Sequence, residues 1–296
     1  MVLEAIFDSI TVKRHPWFVF FTALIASSIA IWLSYYTFPE TSSILALAFI
    51  TIAFVPLIHS MFVEEEEKEI HMKGSSFGFL FRHKSLISVY AWIFLGIMFS
   101  YVFWFAVLPA AQPDYCISGN SIECMLPTKD KVFMEQSKTM TAISGKAVLH
   151  GKAVGVNECK NPETKNMWAC TELIFMNNSL VMGLAILFSF IWGAGAIFLI
   201  GWNASVIGSF IGFEAISSHS TAVARFLSYL PHGTFEVMGY FIGAIAGGII
   251  SIAITKKKYG KHEFSLIARD ALTLIVIAYW VLLIGAVVEA WLLVMS

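Results

Sequence analysis

From Leu173 to Phe213 the chain runs for 41 residues without a charged side chain. As one helix rising ~1.5 Å per residue it would be about 60 Å long, twice the ~30 Å of a bilayer's hydrocarbon. The stretch must therefore fold back on itself. A glycine, an interfacial aromatic and a polar amide coincide at Gly201-Trp202-Asn203, which is where the break is expected. One span then covers about 175–200 and the next about 203–216, the latter short enough to be tilted, broken or re-entrant.

The rest of the chain repeats the pattern. With 58% hydrophobic and 13% charged residues over 296 positions, the sequence lies far from the soluble average. Residues 1–16 form a polar lead with an amphipathic hint at Val2, Leu3, Ile6, Phe7 and Ile10. Trp17–Thr37 is a first span, Ile44–Val63 a second, kinked at Pro56 and closed by the run Glu64–Glu67, and Leu86–Leu108 a third. The acidic run reads as a solvated face. A sixth span starts at Pro231, whose missing N–H costs nothing in a first turn, and ends near Ile254. Ala268–Val294 is the seventh. The predicted fold class is all-α: a polytopic transmembrane bundle of about seven spans.

Residues 109–172 differ in kind. They hold all four cysteines, Cys116, Cys124, Cys159 and Cys170, and balance seven lysines against seven acids. A small polar insert with this cysteine density suits an oxidising compartment, and the short loops favour the pairs Cys116–Cys124 and Cys159–Cys170 among the three connectivities that four cysteines allow. Their spacings match no common zinc pattern. Lysine and arginine in the short loops give the orientation. With a cytoplasmic N-terminus, the inner side collects Lys13, Arg14, Lys68, Lys73, Arg82, Lys84, Lys256–Lys258, Lys261 and Arg269, and the outer short loops only Arg225. The insert and the C-terminus are then extracytoplasmic. Without a basic stripe, nucleic acid is excluded as a partner.

Chemistry-bearing residues concentrate on the sixth span. At ~100° per residue, His232, Glu236, Gly239, Gly243 and Gly247 fall at about 0°, 40°, −20°, 20° and 60°, one narrow stripe. Glycines at this spacing let another backbone approach, and ionisable groups at membrane depth face protein or water. Counting depth from the span ends brings Glu289 of the seventh span and Asn177 and Asn178 of the fourth to the same outer layer as Glu236. These residues, with Glu214 as a further member, form the expected polar pocket. Mutual satisfaction of His232 and Glu236 within the helix packing is the alternative.

In order, FMNNSLVMGLAILFSFIWGAGAIFLIGWNASVIGSFIG (175–212), LPHGTFEVMGYFIGAIAGG (230–248) and GAVVEAW (285–291) resemble the motifs of the stage II sporulation protein M (SpoIIM) membrane family. The resemblance covers about residues 86–296. Its motif positions here are Asn177 and Asn178, Asn203 and Gly208, Pro231, His232, Gly233 and Glu236, and Glu289. It implies a five-span core over 86–296 carrying the insert at 109–172, with residues 1–85 as a two-span extension. The chain departs from the family pattern after its last glutamate, where Trp291-Leu292 replaces a Thr-Pro pair. In endospore formers the family implies a membrane partner of peptidoglycan-remodelling proteins.

Three functions are open on this sequence. The first is a non-enzymatic membrane component that binds or organises envelope proteins, its partners being the bilayer, other membrane or envelope proteins and a second copy of the chain. The second is a small-solute or proton-coupled transporter or channel. The third is an intramembrane metal-dependent hydrolase: His232 and Glu236 share a face, but zinc catalysis needs a third ligand, from Glu214 or Glu289. No metal, cofactor or catalytic residue is assigned.

Overall fold

The computed structural model describes residues 12, 14–71, 83–111, 126–144, 148–149, 152–153, 159, 166–217, 219–256 and 262–295. Seven helices among them are long and apolar enough to cross a membrane. In chain order they are α1 (Phe18–Thr37), α2 (Ser42–His71), α3 (Lys84–Val107), α6 (Met167–Trp192), α7 (Ala196–Ser217), α8 (His219–Thr255) and α9 (His262–Met295). Two short helices, α4 (Lys129–Val132) and α5 (Met134–Ser144), lie in the insert, followed by a two-residue strand pair, Val148–Leu149 with Lys152–Ala153. The protein is a multi-pass, essentially all-helical membrane protein.

The centre of the bundle is α8. Its apolar window is 78% buried, against 28–56% for the other six spans, and it packs most extensively on α9, α6 and α7. Small residues make this possible. A Cβ on Gly239 would lie 2.7 Å from Leu282 Cδ2 of α9, and one on Gly243 would lie 2.9 Å from Met182 Cγ of α6. Neither helix could come so close to a larger side chain. The same device joins α1 to α3, where a Cβ on Gly96 would meet that of Ala23 at 2.6 Å. Ser28 then links the two helices, accepting from Trp104 Nε1 at 2.9 Å and lying 3.2 Å from the Ser100 hydroxyl.

The fold-back falls elsewhere than the sequence suggests. The break lies between α6 and α7 at Gly193–Gly195, and Gly201-Trp202-Asn203 is helix interior. Gly193 has φ 66° and ψ −68°, and Ala194 N–H donates to the Trp192 carbonyl two residues back at 2.7 Å. This is a γ-turn of the positive-φ kind, which only glycine adopts readily. Gly201 instead faces Ile97 and Leu47 at ordinary contact distance. Moving the break seven or eight residues upstream gives α7 a crossing segment of 21 residues, Ala196–Ile216, long enough to span.

Two other helices also outrun their expected bounds. α8 starts at His219, so Pro231 is internal and exposed, removing one backbone hydrogen bond on the open side of the helix. α2 continues through the acidic run to His71, and Glu65 there is buried, its Oε2 3.0 Å from Nδ1 of buried His83. This buried contact ties the end of α2 to the start of α3, where sequence patterning suggested a solvated face.

Part of the insert is wedged into the bundle. Phe133 stacks edge-on against Tyr101 and Phe105 of α3, Ser42 Oγ donates to the Lys131 carbonyl at 3.0 Å, and fully buried Gln136 donates to Ser205 Oγ of α7 at 3.2 Å. At the rim, Lys131 pairs with Glu40, which holds its ammonium above the ordinary lysine range. The helix that follows the insert begins inside the stretch 109–172, since Met167–Glu172 already belong to α6. That helix is capped by Asn166, whose side-chain oxygen accepts from Trp168 N–H at 3.0 Å and Ala169 N–H at 3.3 Å.

Candidate functional site

On the insert side of the bundle, α6, α8 and α9 bring polar side chains together in otherwise apolar surroundings. Asn178, on the inward face of α6, is the hub. Its Nδ2 donates to Glu236 Oε1 at 2.5 Å, and its Oδ1 accepts from Tyr240 O–H at 2.8 Å. A tyrosine donor and a carboxylate acceptor fix which way the amide points. Glu236 and Tyr240 are one helical turn apart on α8, as are His232 and Glu236, so one face of α8 supplies all three.

The second carboxyl comes from α9. Glu289 lies within side-chain hydrogen-bond reach of Glu236 and close enough to act electrostatically on His232. The approach of the two carboxyl groups depends on Gly285, one turn before Glu289, where a Cβ would come within 3.1 Å of Phe235 Cβ and 3.4 Å of Glu236 Cγ. His232 is buried beside the Tyr229 ring at 5.4 Å, and its Nδ1 has no hydrogen-bond partner among the described residues. Glu236 is seven residues into the apolar window that begins at Tyr229, about 10 Å along the helix.

A disulfide seals the cluster toward the insert. Cys159 is bonded to Cys170 in the first turns of α6, with Cα atoms 5.8 Å apart. The pair is buried with Ile174, Ala286 and Ala290, the alanines flanking Glu289 on α9. Cys170, Ile174 and Asn178 follow each other at intervals of four on α6, so the bridge stacks above the polar hub. The pairing expected for Cys116 and Cys124 lies outside the described residues.

Other residues singled out in the sequence are elsewhere. Asn177 is exposed, because the next residue on a helix points ~100° away. Glu214 is half-buried on α7, and no hydrogen bond or ion pair links it to the cluster among the described residues. Asn203 donates to the Leu199 carbonyl of its own helix at 2.8 Å. Gly208 lies against the Met98 carbonyl of α3, with 2.5 Å left for a Cβ, Gly247 against α6, and Gly233 has open space around it. No group of three His, Cys, Asp or Glu is disposed to hold a metal ion among the described residues. Two participants were not singled out from the sequence, Tyr240 and Gly285. Each had a signal: Tyr240 continues the 232–236 spacing at i+4, and Gly285 stands at i−4 from Glu289.

Seven apolar helices, three of which hold an amide, a phenol and carboxyl groups between them, define a polytopic membrane protein. A sequence model described as stage II sporulation protein M matches residues 115–292, more than half of the chain, which therefore belongs to that family. The matched stretch runs from the insert nearly to the end of α9, and α1, α2 and α3 precede it. No curated protein and no solved structure matches the chain.

Proposed function

We propose that this protein is a non-enzymatic component of the cell membrane that binds or organises envelope proteins, with the cluster around Asn178, Glu236 and Glu289 as its polar pocket. His232 completes that pocket. The proposal takes the insert side as extracytoplasmic, following the lysine and arginine bias of the short loops. Residues 86–296 then act as the functional core and residues 1–85 as an extension docked on it.

The supporting observation is the hydrogen-bonded chain Tyr240–Asn178–Glu236 inside the bundle, with Glu289 beside Glu236. Ionisable groups at this depth are costly and mark functional sites by default. Two carboxyl groups side by side at this depth are also what proton-coupled transport uses, and this favours a transporter as the second reading. The two readings separate in purified liposomes loaded with a pH-sensitive dye, alongside a photo-crosslinker placed at exposed Asn177 in native membranes. The membrane-component reading expects one discrete crosslinked envelope protein and no proton movement that depends on Glu236. Proton flux present in the wild type and abolished in Glu236→Gln would overturn it in favour of transport.

A further inference from the structure

Between α3, α8 and α9 the bundle leaves an open cleft of about 430 Å³. Ser88 and Ala91 of α3, Met238 and Ile242 of α8 and Val281 of α9 line it, with buried Ile242 as its floor. The one charged group on its wall is Lys84. A second cleft of about 480 Å³, between α2, α6 and α7, includes Val55, Phe188 and Phe198 and carries no charge.

Both clefts are cut into spanning helices, so in a bilayer they meet hydrocarbon. An apolar void forfeits its contacts if left empty and gives water no partners, and a lipid chain is the filler at hand. Lys84 makes the first cleft different. It is the first residue of α3, on the bilayer edge opposite the insert, and it is exposed with no ion pair among the described residues. Its hydrocarbon stem can lie along the cleft while the ammonium stays at headgroup level. From Lys84 to Ala91 the cleft descends about 10 Å into the leaflet. A tail in the groove and a negative charge at its end are thus both provided for.

We propose that this cleft binds one acyl chain of an anionic phospholipid, with the headgroup held by Lys84, in the leaflet opposite the insert. The test is native mass spectrometry of the full-length protein titrated with phosphatidylglycerol or with phosphatidylcholine of the same chains. The wild type should retain one phosphatidylglycerol about five-fold better than phosphatidylcholine, the ratio expected for one lysine near an anionic surface. Lys84→Gln should abolish that preference and Lys84→Arg should keep it. Ala91→Trp, which fills the groove, should reduce retention of both lipids. An unchanged preference in Lys84→Gln, or equal retention of the two lipids by the wild type, would mean that only general annular lipid occupies the cleft and would refute the site.

Discussion

Replacing single glycines of α8 by alanine gives a graded test of how this bundle is held together. At Gly247 the new Cβ would collide with the main-chain carbonyl of Ile186, so a helix backbone must shift. At Gly243 it would press on Met182 Cγ at 2.9 Å and Ile186 Cγ1 at 3.2 Å, which are side-chain and not main-chain atoms. At Gly233 it would meet nothing within 4 Å. Overpacking costs about 1–3 kcal/mol, and alanine regains about 1 kcal/mol of helix propensity over glycine. Gly247→Ala should therefore lose about 2 kcal/mol net, Gly243→Ala should lie near zero to about 1 kcal/mol lost, and Gly233→Ala should gain up to about 1 kcal/mol. Thermal melting of the purified variants in one detergent should place Gly233→Ala at or above the wild type, then Gly243→Ala, then Gly247→Ala. If Gly247→Ala melts together with Gly233→Ala, α6 and α8 are not in backbone contact and the account of the central helix is wrong.

Three further substitutions probe the turn, the bridge and the cluster. Gly193→Ala forces a methyl group into a positive-φ γ-turn and should cost at least about 1 kcal/mol, while Gly201→Ala, in helix interior with 3.5 Å to its neighbours, should melt at or above the wild type. Equal melting of the pair would put the fold-back elsewhere. Cys170→Ser opens a bridge between residues 11 apart, and loop entropy predicts a loss of about 3 kcal/mol, read by comparing its melting with the wild type under non-reducing conditions; no loss would mean the bridge is not formed. Asn178→Ala strands both Glu236 and Tyr240 and should cost about 1–2 kcal/mol, whereas Asn178→Gln should recover part of this; a neutral alanine variant would contradict the hub role of that amide.

Counting the spans needed only runs of apolar residues set against bilayer thickness, and seven helices meet that criterion. Their ends were less legible, because bilayer thickness limits how much of a helix is buried in lipid and not how long the helix is. Hence α8 begins twelve residues before Pro231, and α2 passes through four consecutive glutamates, one of them buried against a histidine that sequence gives no reason to pair with it. The fold-back was misplaced because Gly193 and Gly201 look alike in sequence. One bends the chain through a positive φ and the other lets α7 touch α2 and α3, and only tertiary packing distinguishes these uses. Within the polar cluster, the 100° helical step groups His232 and Glu236, and depth counting brings in Asn178 and Glu289. Depth alone does not tell Asn178 from Asn177, since neighbours at one level can face opposite ways. Tyr240 escaped notice because an aromatic on an apolar helix is ordinarily core, and its hydroxyl matters only once the Asn178 amide is beside it.

The wedge of α4 and α5 has a consequence for how the protein is made. Gln136 lies 69 residues before Ser205, the group that receives its hydrogen bond on α7. At ~5–20 residues per second, the ribosome needs roughly 3–14 s to make that partner after Gln136 has emerged. During this interval α3 already offers Phe133 the rings of Tyr101 and Phe105, while the α7 hydroxyl that Gln136 meets does not yet exist. This part of the insert is therefore made well before the last of its contacts is available. A fault in placing α7 reaches back to Gln136, far upstream in the chain, as a buried amide left without its acceptor.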